Sequence, residues 1–297
     1  MKGLLLINAY LKSQSQYSQV ARMREELVKR GVQTDVLRND GFFTVVYNGE
    51  IVSRLKGYDF CVYLDKDKYV SAMLEQCGVR LFNTHEAIRV CDDKMDTYIR
   101  LSGQGIAMPK TLSGLLCYEA TENVSCATVE NVEKELGYPI IIKECYGSLG
   151  KGVYMARNRE ELTELMQRLK MRPHLLQEAV QTSMGKDVRV IVIGGKAVAA
   201  MVRRSDSDFR SNVELGGKAS AHELTEEEKT LAERVANILQ LDYCGIDLLF
   251  GKDGPIVCEV NSNAFFGGME QATGVNVAGL YADWICKEIY GKTEKGI

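Results

Sequence analysis

From Gly3 to Gly78 short apolar runs alternate with stretches of helical periodicity, and that alternation leaves few folds open. Gly3–Ala9, Thr34–Leu37 and Phe60–Leu64 read as strands, with Val20–Arg30 and Tyr69–Cys77 as amphipathic helices stopped by Gly31 and Gly78. Strands separated by helices pair in parallel, because the crossover returns each strand to the same direction. One antiparallel insertion is expected, a hairpin over Thr44–Val52 turning at Asn48-Gly49. The result is an α/β domain over residues 1–88.

The rest of the chain changes character. A helix is expected over Asp92–Leu101, then strands Ile140–Glu144 and Val153–Ala156 around a glycine-rich turn, and helix Glu160–Lys170. Leu175–Val180, Val188–Ile193 and Ala197–Val202 are β-rich, the last two joined at Gly194-Gly195. Helix Glu226–Leu239 precedes strands Gly245–Phe250 and Ile256–Asn261, and Val277–Tyr290 closes as a helix. These are two α+β lobes, over 89–180 and 181–297. The only linker-like stretch is the polar segment Ser13–Gln19.

A net charge of −3 disfavours nucleic acid as a partner, since such proteins carry a basic face. No apolar run approaches the roughly 20 residues a membrane span needs, and Gly3–Ile7 lacks the flanks of a signal peptide, so a cytoplasmic location is expected. Nine cysteines without CxxC pairs are no disulfide framework, and three scattered histidines offer no zinc spacing.

Chemistry is concentrated in three places. In Gly147-Ser148-Leu149-Gly150-Lys151-Gly152 three glycines permit close backbone approach and N–H groups can cradle phosphate. This is not a Walker A loop, because Gly152 leads into a strand and not a helix. Lys143 ends the apolar strand before that loop, where its charge needs a partner that a phosphate would supply. Lys94 stands at a helix start. Third, a five-residue loop Gly251–Pro255 would pair Ile246 with Val260, Leu248 with Cys258 and Phe250 with Ile256, one apolar face. The same register opposes Asp247 to Glu259 with Asn261 two residues on. Opposed carboxylates repel, and a hard cation such as Mg²⁺ would relieve them.

Lys94, Lys143 with Gly147–Gly152, Gln177-Glu178, Asp187-Val188-Arg189, Arg203-Arg204, Asp208-Phe209-Arg210-Ser211-Asn212, Asp247 and Glu259-Val260-Asn261 occur in order. From about Asp92 to Val277 this set resembles the ATP-grasp superfamily and, within it, the RimK-type amino-acid ligases. The resemblance implies an α/β and α+β ATP-grasp fold: an N-terminal α/β pre-ATP-grasp domain, then two lobes clasping ATP. It implies ATP-dependent joining of a carboxylate to an amine through an acyl phosphate. A phosphotransferase or a non-catalytic ATP-binding regulator on the same scaffold are the alternatives.

The resemblance also implies roles for individual residues. Lys94 and Lys143 would hold ATP phosphates under Gly147, Ser148, Gly150 and Gly152; Gln177, Glu178 and the Ala179 backbone would border adenine, with Asp187 close to the nucleotide. Arg210, Ser211 and Asn212 would reach phosphate, and Arg189, Arg203 and Arg210 would act in catalysis. Asp247, Glu259 and Asn261 would hold one or two Mg²⁺ or Mn²⁺ ions. The implied partners are a small-molecule carboxylate and amine, among them an amino acid and a peptide or protein acceptor, with no nucleic acid and no membrane; a homo-oligomer is allowed. One departure stands out. Many RimK-type enzymes follow the metal-binding Asn with Ala-Ser-Pro-Gly, whereas Asn261 is followed by Ser262-Asn263-Ala264-Phe265-Phe266, with at least one ring expected in the core. That loop and Ser13–Gln19 are the expected selectors of substrate.

Overall fold

The computed structural model describes residues 1–211 and 216–293. Its first sheet contains the three strands expected from the opening alternation, β1 (Lys2–Ile7), β2 (Gln33–Arg38) and β5 (Phe60–Leu64), with a short β6 (Leu81–Phe82). Their order is β2-β1-β5-β6 and every pair is parallel. The hairpin β3 (Thr44–Tyr47) and β4 (Glu50–Ser53) turns at Asn48-Gly49, as expected. One face of the sheet is covered by helices α2 (Lys68–Gln76) and α3 (His85–Asp92), which bury Leu74 and Ile88 with Leu4 and Leu6.

Helix α1 (Gln14–Lys29) covers the other face and begins earlier than its apolar periodicity indicates. Ser13 caps it in a capping box with Gln16, so the polar stretch read as a linker is its first turns. A second correction concerns Asp92–Leu101. Asp93 ends α3 and caps a new helix, α4 (Lys94–Leu101), by accepting from the N–H groups of Met95 and Asp96 at 2.9 and 3.2 Å. Lys94 is therefore the first residue of a helix, held in place by that cap.

The second sheet is antiparallel, in the order β7-β10-β8-β9, from β7 (Thr111–Ser113), β8 (Ile140–Glu144), β9 (Val153–Ala156) and β10 (His174–Glu178). Ile140 and Ile142 point into a core with helices α5 (Cys126–Leu136) and α6 (Arg159–Leu169), which turns Lys143 to the opposite face. Helix α5 escapes a sequence reading because only Val129 and Val132 are buried along it. The third sheet runs β13-β12-β11-β14-β15, from β11 (Lys186–Ile193), β12 (Lys196–Arg204), β13 (Lys218–Ala221), β14 (Tyr243–Phe250) and β15 (Pro255–Asn261). Val188, Val190, Val192, Ile246 and Leu248 bury one face against helix α7 (Glu226–Ile238). On the other face Ile191, Ile193, Ala199 and Met201 share a core with α1 and helices α8 (Gly267–Thr273) and α9 (Val277–Thr293). Among the described residues no helix is long and apolar enough to cross a membrane.

The register of β14 with β15 holds where the carboxylates lie and shifts beyond them. Ile246 faces Val260 and Asp247 faces Glu259, as expected, but Leu248 faces Val257 and Phe250 faces Pro255. The expected pairs Leu248–Cys258 and Phe250–Ile256 do not form, because the connecting loop is one residue shorter and Cys258 is an extra residue, a β-bulge. The bulged carbonyl accepts from the Tyr98 hydroxyl at 2.8 Å. Val257 and Val260 thus both reach the α7 core, while Cys258 and Glu259 turn to the far face.

That face leaves no room at Gly245. A Cβ there would lie 2.5 Å from the Ala264 Cβ and 3.4 Å from Arg189 Cδ. Gly245→Ala is expected to cost about 1–3 kcal/mol, typical of overpacking, and urea unfolding measures it. An unchanged midpoint would show that the segment after β15 gives way freely.

Candidate active site

The second and third sheets face each other across a narrow cavity of about 110 Å³. Lys143, Gly150, Gln177, Glu178, Asp187, Arg203, Arg210, Ser211, Asp247 and Glu259 all border it. A larger cavity of about 920 Å³ opens beside it, where Ser148, Arg189, Arg203, Glu259 and Asn261 meet the first turns of α1. Sequence-predicted residues spread from Lys143 to Asn261 are thus brought together. Arg203 and Glu259 border both cavities and form their shared wall. Lys94, Gly147, Gly152 and Ala179 form no part of either wall. Asn212 lies outside the described residues.

The floor is a row of charges on the third sheet. Alternation along β11, β14 and β12 puts Asp187, Arg189, Asp247 and Arg203 on the face away from α7. Arg189 grips Asp247 through Nε and Nη2 at 2.5 and 2.6 Å. Arg203 grips Asp187 at 2.8 and 2.6 Å and reaches Asp247 Oδ2 at 2.8 Å. Asp247 is only 4% exposed. Burial raises its pKa, but the two guanidinium groups outweigh that and hold it below the usual carboxylate range. Here the structure corrects the reason given for a cation: two arginines already relieve the Asp247–Glu259 opposition.

Glu259 and Asn261 are different. Among the described residues the ion-pair partner of Glu259 is Lys94, at 3.7 Å. Among the described residues the Asn261 side chain has no hydrogen-bond partner, so both residues offer oxygens of the hard kind that Mg²⁺ takes. No group of three His, Cys, Asp or Glu converges among the described residues. A cation here would draw on Glu259, Asn261 and oxygens of a bound phosphate, with Asp247 behind them.

The roof is the glycine-rich loop, which joins β8 to β9 as a hairpin, Lys143 opposite Val153. Gly152 has φ of +74°, and a Cβ there would press on the Glu144 side chain at 3.1 Å. Two predicted phosphate-binding cations hold this loop. Lys94 Nζ donates to the Gly147 carbonyl at 2.9 Å, and Arg210 Nη1 to the Gly150 carbonyl at 2.8 Å. The rest of the Arg210 fork is taken by Asp208, at 2.9 and 2.7 Å. Lys143 is 8% exposed, with Cys258 Sγ 3.5 Å from its ammonium. Burial lowers the Lys143 pKa, yet Cys258, Tyr98 and Glu259 outweigh it and the net shift is upward. Burial pushes the Cys258 thiol up as well.

At the edge of the narrow cavity Glu178 accepts from the Lys110 N–H at 2.8 Å, and Gln177 donates to Thr111 Oγ1 at 2.8 Å. Sequence reasoning missed Asp208 as the clamp on Arg210, and Cys258 and Tyr98 around Lys143. An Asp two residues before an Arg was the sole hint of the first, and a bulge has no sequence signature of its own. The loop after Asn261 behaves as expected in part: Phe266 is core, edge-on to Tyr243, while Phe265 borders the larger cavity. Gln14, Ser15, Gln16 and Ser18 border the same cavity, so the two segments expected to select substrate do face one space.

Residues 73–285 match the model of the RimK-like ATP-grasp domain. The chain is 40% identical over 226 residues to N-acetylaspartylglutamate synthase A of Homo sapiens, covering 75% of this chain and 56% of that protein. It is 40% identical over 227 residues to beta-citrylglutamate synthase B of Danio rerio, covering 75% and 55%. The chain therefore spans about half the length of these curated relatives. A probable alpha-L-glutamate ligase of Psychromonas ingrahamii is 33% identical over 293 residues, 94% of each chain. Among solved structures, D-alanine–D-alanine ligase from Bacillus anthracis superposes with a TM-score of 0.75 at 17% identity over the whole of both chains. A RimK domain ATP-grasp protein from Sphaerobacter thermophilus gives 0.71 at 18%, covering 96% of this chain and 99% of that one. Those two likenesses establish the ATP-grasp fold. With the family model covering the narrow cavity, the glycine-rich loop and the third-sheet side of the larger cavity, the chain belongs to the RimK-like ATP-grasp family.

Proposed function

We propose that the chain is an ATP-dependent ligase that joins L-glutamate, as the amine, to a small carboxylic acid through an acyl phosphate, releasing ADP and phosphate. The observation that carries this reading is the shared wall: Arg203 and Glu259 border both cavities. ATP in the narrow cavity would present its terminal phosphate where an acid in the larger one presents its carboxylate. The relatives' names support glutamate, which is common to the synthases and to the probable ligases. A cavity of about 920 Å³ is the size of a small-molecule site.

In the first step a carboxylate oxygen attacks the γ-phosphorus, the bond to the β,γ-bridging oxygen breaks, and ADP leaves. Lys94 and Lys143 supply positive charge beside the phosphates, and the loop above them excludes water. Glu259 and Asn261, with Asp247 behind them, would hold one or two Mg²⁺ or Mn²⁺ ions, whose charge offsets that of the phosphates. In the second step the amine attacks the acyl carbon and phosphate leaves, carrying off a proton from the amine. Arg189 and Arg203 each keep Nη1 without a hydrogen-bond partner among the described residues, free to meet the oxyanion. Both guanidinium groups are fixed in advance by Asp187 and Asp247, so little reorganisation accompanies the charge that develops. No side chain need act as a general base.

With ATP, a usable acid and hydroxylamine in place of the amine, a hydroxamate and ADP are the expected products, resolved by mass and chromatography. AMP and pyrophosphate would instead mean adenylation, and a stable phosphorylated acid formed without dependence on amine would mean phosphotransfer. Glu259→Ala is expected to abolish turnover with the fold intact by circular dichroism. Lys143→Met should lower kcat/KM for ATP by about 10²–10³-fold, the scale for one charge-stabilising donor. Wild-type rates in either variant would show that the side chain stands outside the reaction.

A further inference from the structure

The larger cavity contains a hydrogen-bond donor whose direction is set from outside it. Gln19, on α1 and only 5% exposed, donates from Nε2 to the Ala264 carbonyl at 3.1 Å and to Asn263 Oδ1 at 3.2 Å. A backbone carbonyl can only accept, so the Ala264 contact fixes which end of the Gln19 amide faces the loop. That in turn requires the Asn263 atom beside it to be the oxygen. The Asn263 Nδ2 donors have no partner among the described residues, and Asn263 borders the cavity. The backbone carrying Asn263 is held on both sides: Asn83 Nδ2 donates to the Ser262 carbonyl at 2.8 Å, and the Tyr243 hydroxyl to the Ala264 carbonyl at 2.8 Å. Asn263 is thus a donor pair on a fixed mount.

The neighbouring cations leave this donor a role of its own. Arg189 and Arg203 are oriented by Asp247 and Asp187, with their remaining Nη1 groups assigned above to the oxyanion at the reacting carboxyl, and Lys66, also on the cavity wall, pairs with Asp92 at 2.8 Å. Asn263 lies two residues beyond Asn261, a span of at most about 7 Å in extended chain. We propose that Asn263, oriented by Gln19, is a specificity-determining residue. Its amide N–H groups bind a second carbonyl or carboxylate of the acid substrate, within about 7 Å of the carboxyl that reacts. Gln19 is a positioning residue, acting through Asn263. The substrate class is therefore an acid with a second acceptor group, such as a short dicarboxylate or an N-acyl amino acid. This rests on the ligase reading above.

The test compares kcat/KM for acids matched in length, succinate against butyrate and N-acetyl-L-aspartate against N-acetyl-L-alanine, each with ATP and L-glutamate. Wild type is expected to favour the acid with the extra carboxylate in at least one pair. Asn263→Ala should shrink that ratio by about 10- to 100-fold, the scale of one hydrogen bond to a charged group, with KM for ATP unchanged. The near-isosteric Asn263→Asp, which replaces donors by a carboxylate, should shrink it further. Gln19→Met, which unpins the amide, should reproduce part of the Asn263→Ala effect. Equal loss for both members of a pair, or an unchanged ratio in Asn263→Asp, overturns the inference while leaving the ligase intact. So does ligation of butyrate or N-acetyl-L-alanine alone. Failure of wild type to form ADP with any acid and amine overturns the ligase reading and this inference with it.

Discussion

Asp247 is a buried carboxylate held by two arginines on neighbouring strands, and that contact sets the charged floor that Arg203 presents to both cavities. Arg189 closes on it across β11 and β14, and Arg203 reaches it diagonally from β12 while also holding Asp187. Removing one member of a buried ionic cluster leaves the others uncompensated, at about 3–5 kcal/mol. The row is therefore coupled, and each guanidinium has one orientation open to it. The sheet carries these charges at one end of a face whose other end is core with α8 and α9. Site and core are two halves of one surface.

Over that floor hangs a loop tied down by two cationic side chains. Lys94 and Arg210 each donate to a carbonyl of the glycine-rich loop. Phosphate oxygens are stronger acceptors than a peptide carbonyl, because charge-assisted bonds are about twice as strong as neutral ones. The same donors can hold the loop and receive a nucleotide, and Asp208 keeps the Arg210 fork aimed in either case. The cap at Asp93 does the corresponding work for Lys94, starting α4 at that residue.

Much of this was legible in the sequence where local periodicity carries the signal. Strands Ile140–Glu144, Val153–Ala156 and Phe60–Leu64 stand at their expected limits, because apolar runs between turn residues have few alternatives. The opposition of Asp247 to Glu259 also holds, since a one-residue slip would have exposed Ile246 and Val260. The outer part of that hairpin failed. A shorter loop and a bulge at Cys258 offset one another, and a pattern of alternating residues cannot detect two errors that cancel. Helices α5 and α8 went unread because each buries too few side chains to show a period.

The sequence by itself determined which chemical groups are available and on which face of their own strand or helix they lie. Backbone periodicity is local, and burial of one face enforces it. Only the tertiary structure decided what each group meets. That Asp247 faces arginines, that Gln19 turns the amide of Asn263, 244 residues further along, and that Lys94 reaches across to Gly147 are all consequences of chain crossings. Such contacts depend on how sheets pack against one another, and side-chain pairing across that distance leaves no periodic trace in a single chain.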